Sequence, residues 1–183
     1  MLRLALGAFL AAIVVFFWGF FFWGSGLSDP YGHVTPEAEA ALTGALKANL
    51  TSDAVYFLPD MKNGTQEAVM ARINAGPVAH IVFHNAGAKP FSVTLALGFL
   101  HMLVMTSMLA FFMRLTLPMA PTWLSRVKLV ALVGVIAATY AHLGNPIWRE
   151  YPWRFALLGM AFDFASYAIA GLILARFFTP RAA

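Results

Sequence analysis

A carboxylate stands where a lipid bilayer would make it costly. Asp163, in Phe162-Asp163-Phe164, lies mid-way along a long apolar stretch, and no other acid falls inside such a stretch. A charge at that depth costs roughly 2.5–3.5 kcal/mol on insertion scales, so Asp163 should turn inward and find a partner. His101 is the expected one. Asp163 is ten residues from Trp153 and His101 ten from Phe91. At ~1.5 Å per residue both lie about 15 Å below the same face. Packed as antiparallel neighbours, they would make a proton-responsive or ligand-binding pair. The plainer role is a polar clasp fixing helix register, or a protonated Asp163 bonded to a hydroxyl.

A second pattern is thioether-rich. His101, Met105 and Met108 fall at i, i+4 and i+7 of one helix face, and Met160 is three residues from Asp163. Imidazole and thioether suit Cu(I), although methionine also fills irregular helix packing. His142 falls near the end of its own apolar stretch, about 9 Å above His101 by the same rise, so a bis-histidine haem is not expected. His80 and His84 read as strand residues about 13 Å apart, too far to chelate one ion. No cofactor is named by any of these patterns. With no cysteine, disulfides, thiolate metal sites and iron–sulfur clusters are excluded. There is no phosphate loop and no nucleophile elbow, and the expectation is a protein that is not an enzyme.

The elements that must hold these residues are set by composition. The chain is 61% hydrophobic and 11% charged, against roughly 25% charged for a soluble domain. Four apolar stretches reach the ~20 residues that span a bilayer. They run over about Leu4 to Leu27, Phe91 to Met113, Val127 to Leu143 and Trp153 to Phe178, the third closed by Gly144-Asn145-Pro146. The first exceeds the ~7–15 apolar residues of a signal peptide and reads as an uncleaved anchor. The expected fold is a four-helix transmembrane bundle with a small α+β extracytoplasmic domain inserted between the first and second helices. Its divisions are residues 1–27, 28–90 and 91–183.

Charge near the helix ends orients the bundle. Arg3, Arg114, Arg126, Lys128, Arg176 and Arg181 gather on one side without an acid, while every acid except Asp163 falls on the other. The positive-inside rule then puts both termini in the cytoplasm and residues 28–90 outside. That segment reads as two helices and two strands. Thr35-Pro36 and Thr65 start the helices, Gly76-Pro77 ends the second, and Asp53 to Leu58 and Val78 to Phe83 are extended. Some sixty residues are marginal for independent stability, so the domain is expected to rest on the helix ends. The basic residues are scattered, and nucleic acid is not an expected partner.

Small residues spaced by four should let helices approach closely: Gly7 with Ala11, Ala8 with Ala12, Gly134 with Ala138, and Ala161 with Ala165. The first helix is aromatic all round, with Phe16, Phe17, Trp18, Phe20, Phe21 and Trp23. Four helices cannot bury all these rings, so some meet lipid or dock a partner. The expected role is a non-catalytic accessory, assembly or structural subunit of a larger membrane complex, in contact with the bilayer and other subunits. The alternative is a small ligand-handling membrane protein, for lipid, quinone or a metal ion such as copper, built around His101 and Asp163.

The order of features resembles a group of small bacterial inner-membrane proteins of unknown function, with four helices and one extracytoplasmic domain. The resemblance is carried by Phe17-Trp18-Gly19, a helix ending Ala48-Asn49-Leu50, Tyr56-Phe57-Leu58-Pro59, Gly76-Pro77, and a last helix with Asp163 and Ala170-Gly171-Leu172. It implies a multi-pass protein of the bacterial inner membrane, and no activity.

Overall fold

The computed structural model describes residues 2–26 and 28–178. Leu27, the expected end of the first stretch, and Arg181, counted above among the basic residues, lie outside the described residues. In chain order the elements are helix α1 (Leu2–Gly24), helix α2 (Pro36–Asn49), strand β1 (Ala54–Leu58), helix α3 (Gln66–Ala75), strand β2 (Ala79–Phe83), and helices α4 (Phe91–Leu115), α5 (Trp123–Arg149) and α6 (Trp153–Phe177). By length and composition α1, α4, α5 and α6 can each cross a membrane. The chain forms two compact units, one built from these four helices and one from residues Gly32–Pro90.

Within the helical unit α6 is the hub. It packs most extensively on α5 and also along α1, while α4 leans on α1 and only grazes α5 and α6. Small residues explain the close approach. Gly7, Ala8, Ala11 and Ala12 of α1 are all buried, as are Gly134 and Ala138 of α5. On α6 the buried small residues are Ala156, Gly159, Ser166, Ala170, Gly171 and Ala175. The expected pair Ala161 and Ala165 is not the contact stripe: Ala161 is exposed and Ala165 half-buried, because α6 turns the Gly159–Ser166–Ala170 side toward its neighbours. The core joins Val15, Met113, Val130 and Leu174 from the four helices. A polar stitch in the α1–α4 seam is the fully buried Thr106, whose hydroxyl donates at 2.9 Å to the Ala8 carbonyl. Such interhelical bonds in membranes average about 0.6 kcal/mol.

α5 is longer than its sequence suggests at both ends. It starts at Trp123 behind a capping box of Thr122 and Ser125. It also runs through Gly144-Asn145-Pro146 to Arg149, rather than stopping at Leu143. Pro146 has no N–H and forfeits one helical bond, but it lies in the final turn, where little helix remains to disrupt. Glu150 then ends the helix in the left-handed region at φ 56°, its N–H on the Asn145 carbonyl. At the opposite end Arg126 is buried and donates to the carbonyls of Ala120 (3.0 Å), Pro121 (2.6 Å) and Phe178. One guanidinium thus ties the α4–α5 link to the end of α6.

In the smaller unit β1 and β2 pair antiparallel, with Tyr56 opposite Ile81 and Phe57 opposite His80. Thr35 and Thr65 cap α2 and α3, their hydroxyls accepting from the N–H groups of Ala38 and Ala68. α2 buries none of its residues, and α3 buries only Val69.

Candidate functional site

The polar centre of the helical unit is built on the α5–α6 register. Val130 and Gly134 of α5 meet Gly171 and Tyr167 of α6, and His142 meets Gly159. These contacts climb α5 by four and then eight residues while descending α6 by the same steps, so one antiparallel alignment covers them all. At Gly159 the fit is tightest. A Cβ built there would lie 2.5 Å from His142 Cε1 and 2.6 Å from Nδ1. The imidazole therefore rests directly on bare glycine backbone, and its Nε2 reaches Asp163 Oδ2, one turn further along α6, at 2.8 Å. The two side chains are 20% and 34% exposed.

Asp163 thus has the histidine partner its position requires, but it is His142 and not His101. The reason is the packing order: α1 lies between α4 and α6, so equal depth does not bring His101 across. His101 is exposed on α4. His142 is also deeper than a helix ending at Leu143 would put it, by about 9 Å at ~1.5 Å per residue. The sequence did carry a usable signal. The short link between the third and fourth apolar stretches makes α5 and α6 direct neighbours, but only with α5 carried on to Arg149 do His142 and Asp163 stand at comparable distances from it.

Chemically, the contact with the Asp163 carboxylate orients the imidazole and fixes which ring nitrogen faces it. Three residues on from Asp163, the Ser166 hydroxyl donates to the Phe162 carbonyl of its own helix, at 2.8 Å.

The thioether pattern is spread out. Met108 is 68% exposed with His101, Met105 packs against the core, and Met160 is half-buried on α6. Among the described residues no three His, Cys, Asp or Glu side chains gather to hold a metal ion. The aromatic set on α1 divides in two. Phe16 packs edge-on against Phe99 of α4, at 5.6 Å between centroids. Trp18 stacks on Phe162 of α6 at 6.4 Å. Phe17, Phe20, Phe21 and Trp23 are exposed. Of the rings expected to dock a partner, Phe16 and Trp18 therefore serve the protein's own packing, and Trp23 does so in part, since its ring meets Phe162 at 5.4 Å.

In the smaller unit Asp53 accepts from the Asn85 backbone N–H at 2.9 Å and pairs with His84 Nδ1 at 3.1 Å. The Asn85 bond first, then the His84 bond, holds its carboxyl below the usual carboxylate range. His84 is thus engaged with a carboxylate across the strand ends, while His80 faces Phe57, 4.6 Å between ring centres.

No protein-family model matches the chain, and neither curated proteins nor solved structures give a match.

Proposed function

We propose that this chain is a non-catalytic accessory subunit of a larger membrane complex, docked through the outward face of α4. The observation that carries this reading is the exposure of His101. It is ten residues into a 25-residue helix, about 15 Å from the helix start at ~1.5 Å per residue. Its neighbours on that face, Leu97, Leu100, Val104, Met108 and Phe111, are exposed too. An imidazole facing hydrocarbon without a hydrogen-bond partner costs roughly 2–7 kcal/mol even when neutral. A helix of another subunit, offering a hydroxyl or carboxylate at mid-depth, removes that cost and covers the apolar surface around it. Phe17 and Phe21 of α1 add further uncovered aromatic surface. In the proposed topology both termini are cytoplasmic and residues 28–90 are outside the bacterial inner membrane, from the placement of Arg114, Arg126, Lys128 and Arg176.

The rival reading, a small ligand-handling protein, centres on His142 and Asp163, since Asp163 keeps a third of its side chain exposed. Purification in mild detergent with mass spectrometry of whatever co-elutes separates the two. A defined set of membrane subunits is expected. A monodisperse protein carrying one stoichiometric small molecule contradicts the proposal.

A further inference from the structure

α4 is covered along one side only, where Thr106, Leu109, Ala110 and Met113 are buried. On its other side the uncovered residues are regularly spaced. Val93, Leu97, Leu100, Val104 and Phe111 are exposed, from 42% at Val93 to 62% at Phe111, and the exposed Ser107 completes the row. The steps between them are four, three, four, three and four residues. A repeat of 3.5 residues, set against the helix's own 3.6, makes a seam that a second helix follows in a shallow left-handed wrap, crossing at about 20°. The seam runs about 27 Å from Val93 to Phe111 at ~1.5 Å per residue. That is close to the ~30 Å of a hydrocarbon core, so its length is that of a whole crossing helix. His101 stands on one edge of the seam, next to Leu100 and one turn from Leu97. Neither its imidazole nor the Ser107 hydroxyl has a hydrogen-bond partner among the described residues.

We infer that the partner of α4 is a single transmembrane helix of a different protein, packed lengthwise on this seam and carrying one carboxylate at the depth of His101. This rests on the docking of α4 proposed above, and adds the geometry and chemistry of what docks. An Asp or Glu in the middle of a crossing helix is costly unless a donor meets it, and His101 needs a polar partner at the same depth. One contact removes both costs. The bundle already uses this pairing, since His142 Nε2 meets Asp163 Oδ2 at 2.8 Å. A second copy of this chain does not supply the carboxylate. α4 has no acid, and Asp163, the one acid in the four long helices, is engaged by His142. Ser107 fixes the register. It is the smallest side chain of the seam, between Val104 and Phe111, so the facing helix has room for a large side chain there, about 9 Å along the axis from His101.

The test is photo-crosslinking in the native membrane from Leu97, Leu100, Val104 and Phe111, each replaced singly by a photoactivatable phenylalanine. The joined residue of every adduct is read by mass spectrometry. All four positions should reach one helix of one protein, at residues that advance by three or four. An Asp or Glu of that helix should lie between the residues joined to positions 100 and 104. His101→Leu should cut the adduct yield from those two positions about ten-fold, as loss of one charge-assisted hydrogen bond predicts. Exchanging the groups, His101→Glu here and histidine for the acid there, should restore it. Adducts scattered over several proteins, adducts with a second copy, or one facing helix without a carboxylate at that level overturn the inference. The last of these leaves the subunit reading standing, whereas no protein adduct from any of the four positions removes both.

Discussion

Gly159→Ala should damage the helical unit far more than adding one methyl group ordinarily would. The new Cβ would sit 2.5 Å from His142 Cε1 and 2.6 Å from Nδ1, well inside contact distance. The imidazole is broad and hemmed in by two helix backbones, so it must leave the surface of α6 or push α5 away. Forcing extra volume into a packed site costs about 1–3 kcal/mol. If the ring leaves, the 2.8 Å bond to Asp163 goes with it, adding roughly 0.6–1.7 kcal/mol on the scale of interhelical bonds in membranes. The expected loss is about 2–4 kcal/mol, read as a shift in unfolding free energy in bicelles. The decisive comparison is the same substitution on a His142→Ala background. There the ring is gone and the added methyl has room, so its cost should fall to a few tenths of a kcal/mol. Equal cost of Gly159→Ala in both backgrounds would show that His142 does not lie on Gly159, and the α5–α6 register would be wrong.

Further outcomes follow from the other polar contacts. Thr106→Val keeps shape but removes the hydroxyl bonded to the Ala8 carbonyl, and should cost about 0.6–1.7 kcal/mol in the same unfolding assay. Arg126→Met strips the buried donors from the Ala120, Pro121 and Phe178 carbonyls. A loss of about 2–4 kcal/mol and faster proteolysis of residues 116–122 are expected. In the smaller unit, the Asp53 carboxyl is held below its ordinary 3.8, so its charged form favours the folded state. That contribution is present above pH 3.8 and is lost as pH falls through the lower folded value. Asp53→Ala should therefore speed amide exchange at Asn85 near pH 7, and its difference from wild type should fade below about pH 3.8.

How legible these features were depends on how local their causes are. The four apolar helices and the two helices and two strands of the smaller unit follow from apolar run length, turn residues and the Thr35 and Thr65 caps, all carried by neighbouring residues. The continuation of α5 past Pro146 was not legible. A proline normally argues for a stop, and here the stop is delayed until Glu150 adopts the left-handed cap. The partner of Asp163 was only half legible. Its mid-span position demands a partner, but choosing between His101 and His142 requires knowing that α1 separates α4 from α6. Depth counts along single helices do not contain that order, and the short α5–α6 link says only that those two helices are neighbours. The aromatic run on α1 gave no hint of which rings would turn inward, because every face of that helix is apolar. Packing against Phe99 picks out Phe16, and packing against Phe162 picks out Trp18 and one side of Trp23.

What covers His101 decides whether this chain is a subunit. Photo-crosslinking from Val104 and Met108, which flank it on the exposed face of α4, reports this directly in the native membrane, with the exposed Ile136 on α5 as a lipid-facing comparison. A discrete adduct with a different protein is expected from positions 104 and 108. It should be weakened when His101→Leu is added, and no such adduct should form from position 136. No discrete adduct from either α4 position, or one of twice this chain's mass alone, would contradict the assignment of this protein as a subunit of a larger complex.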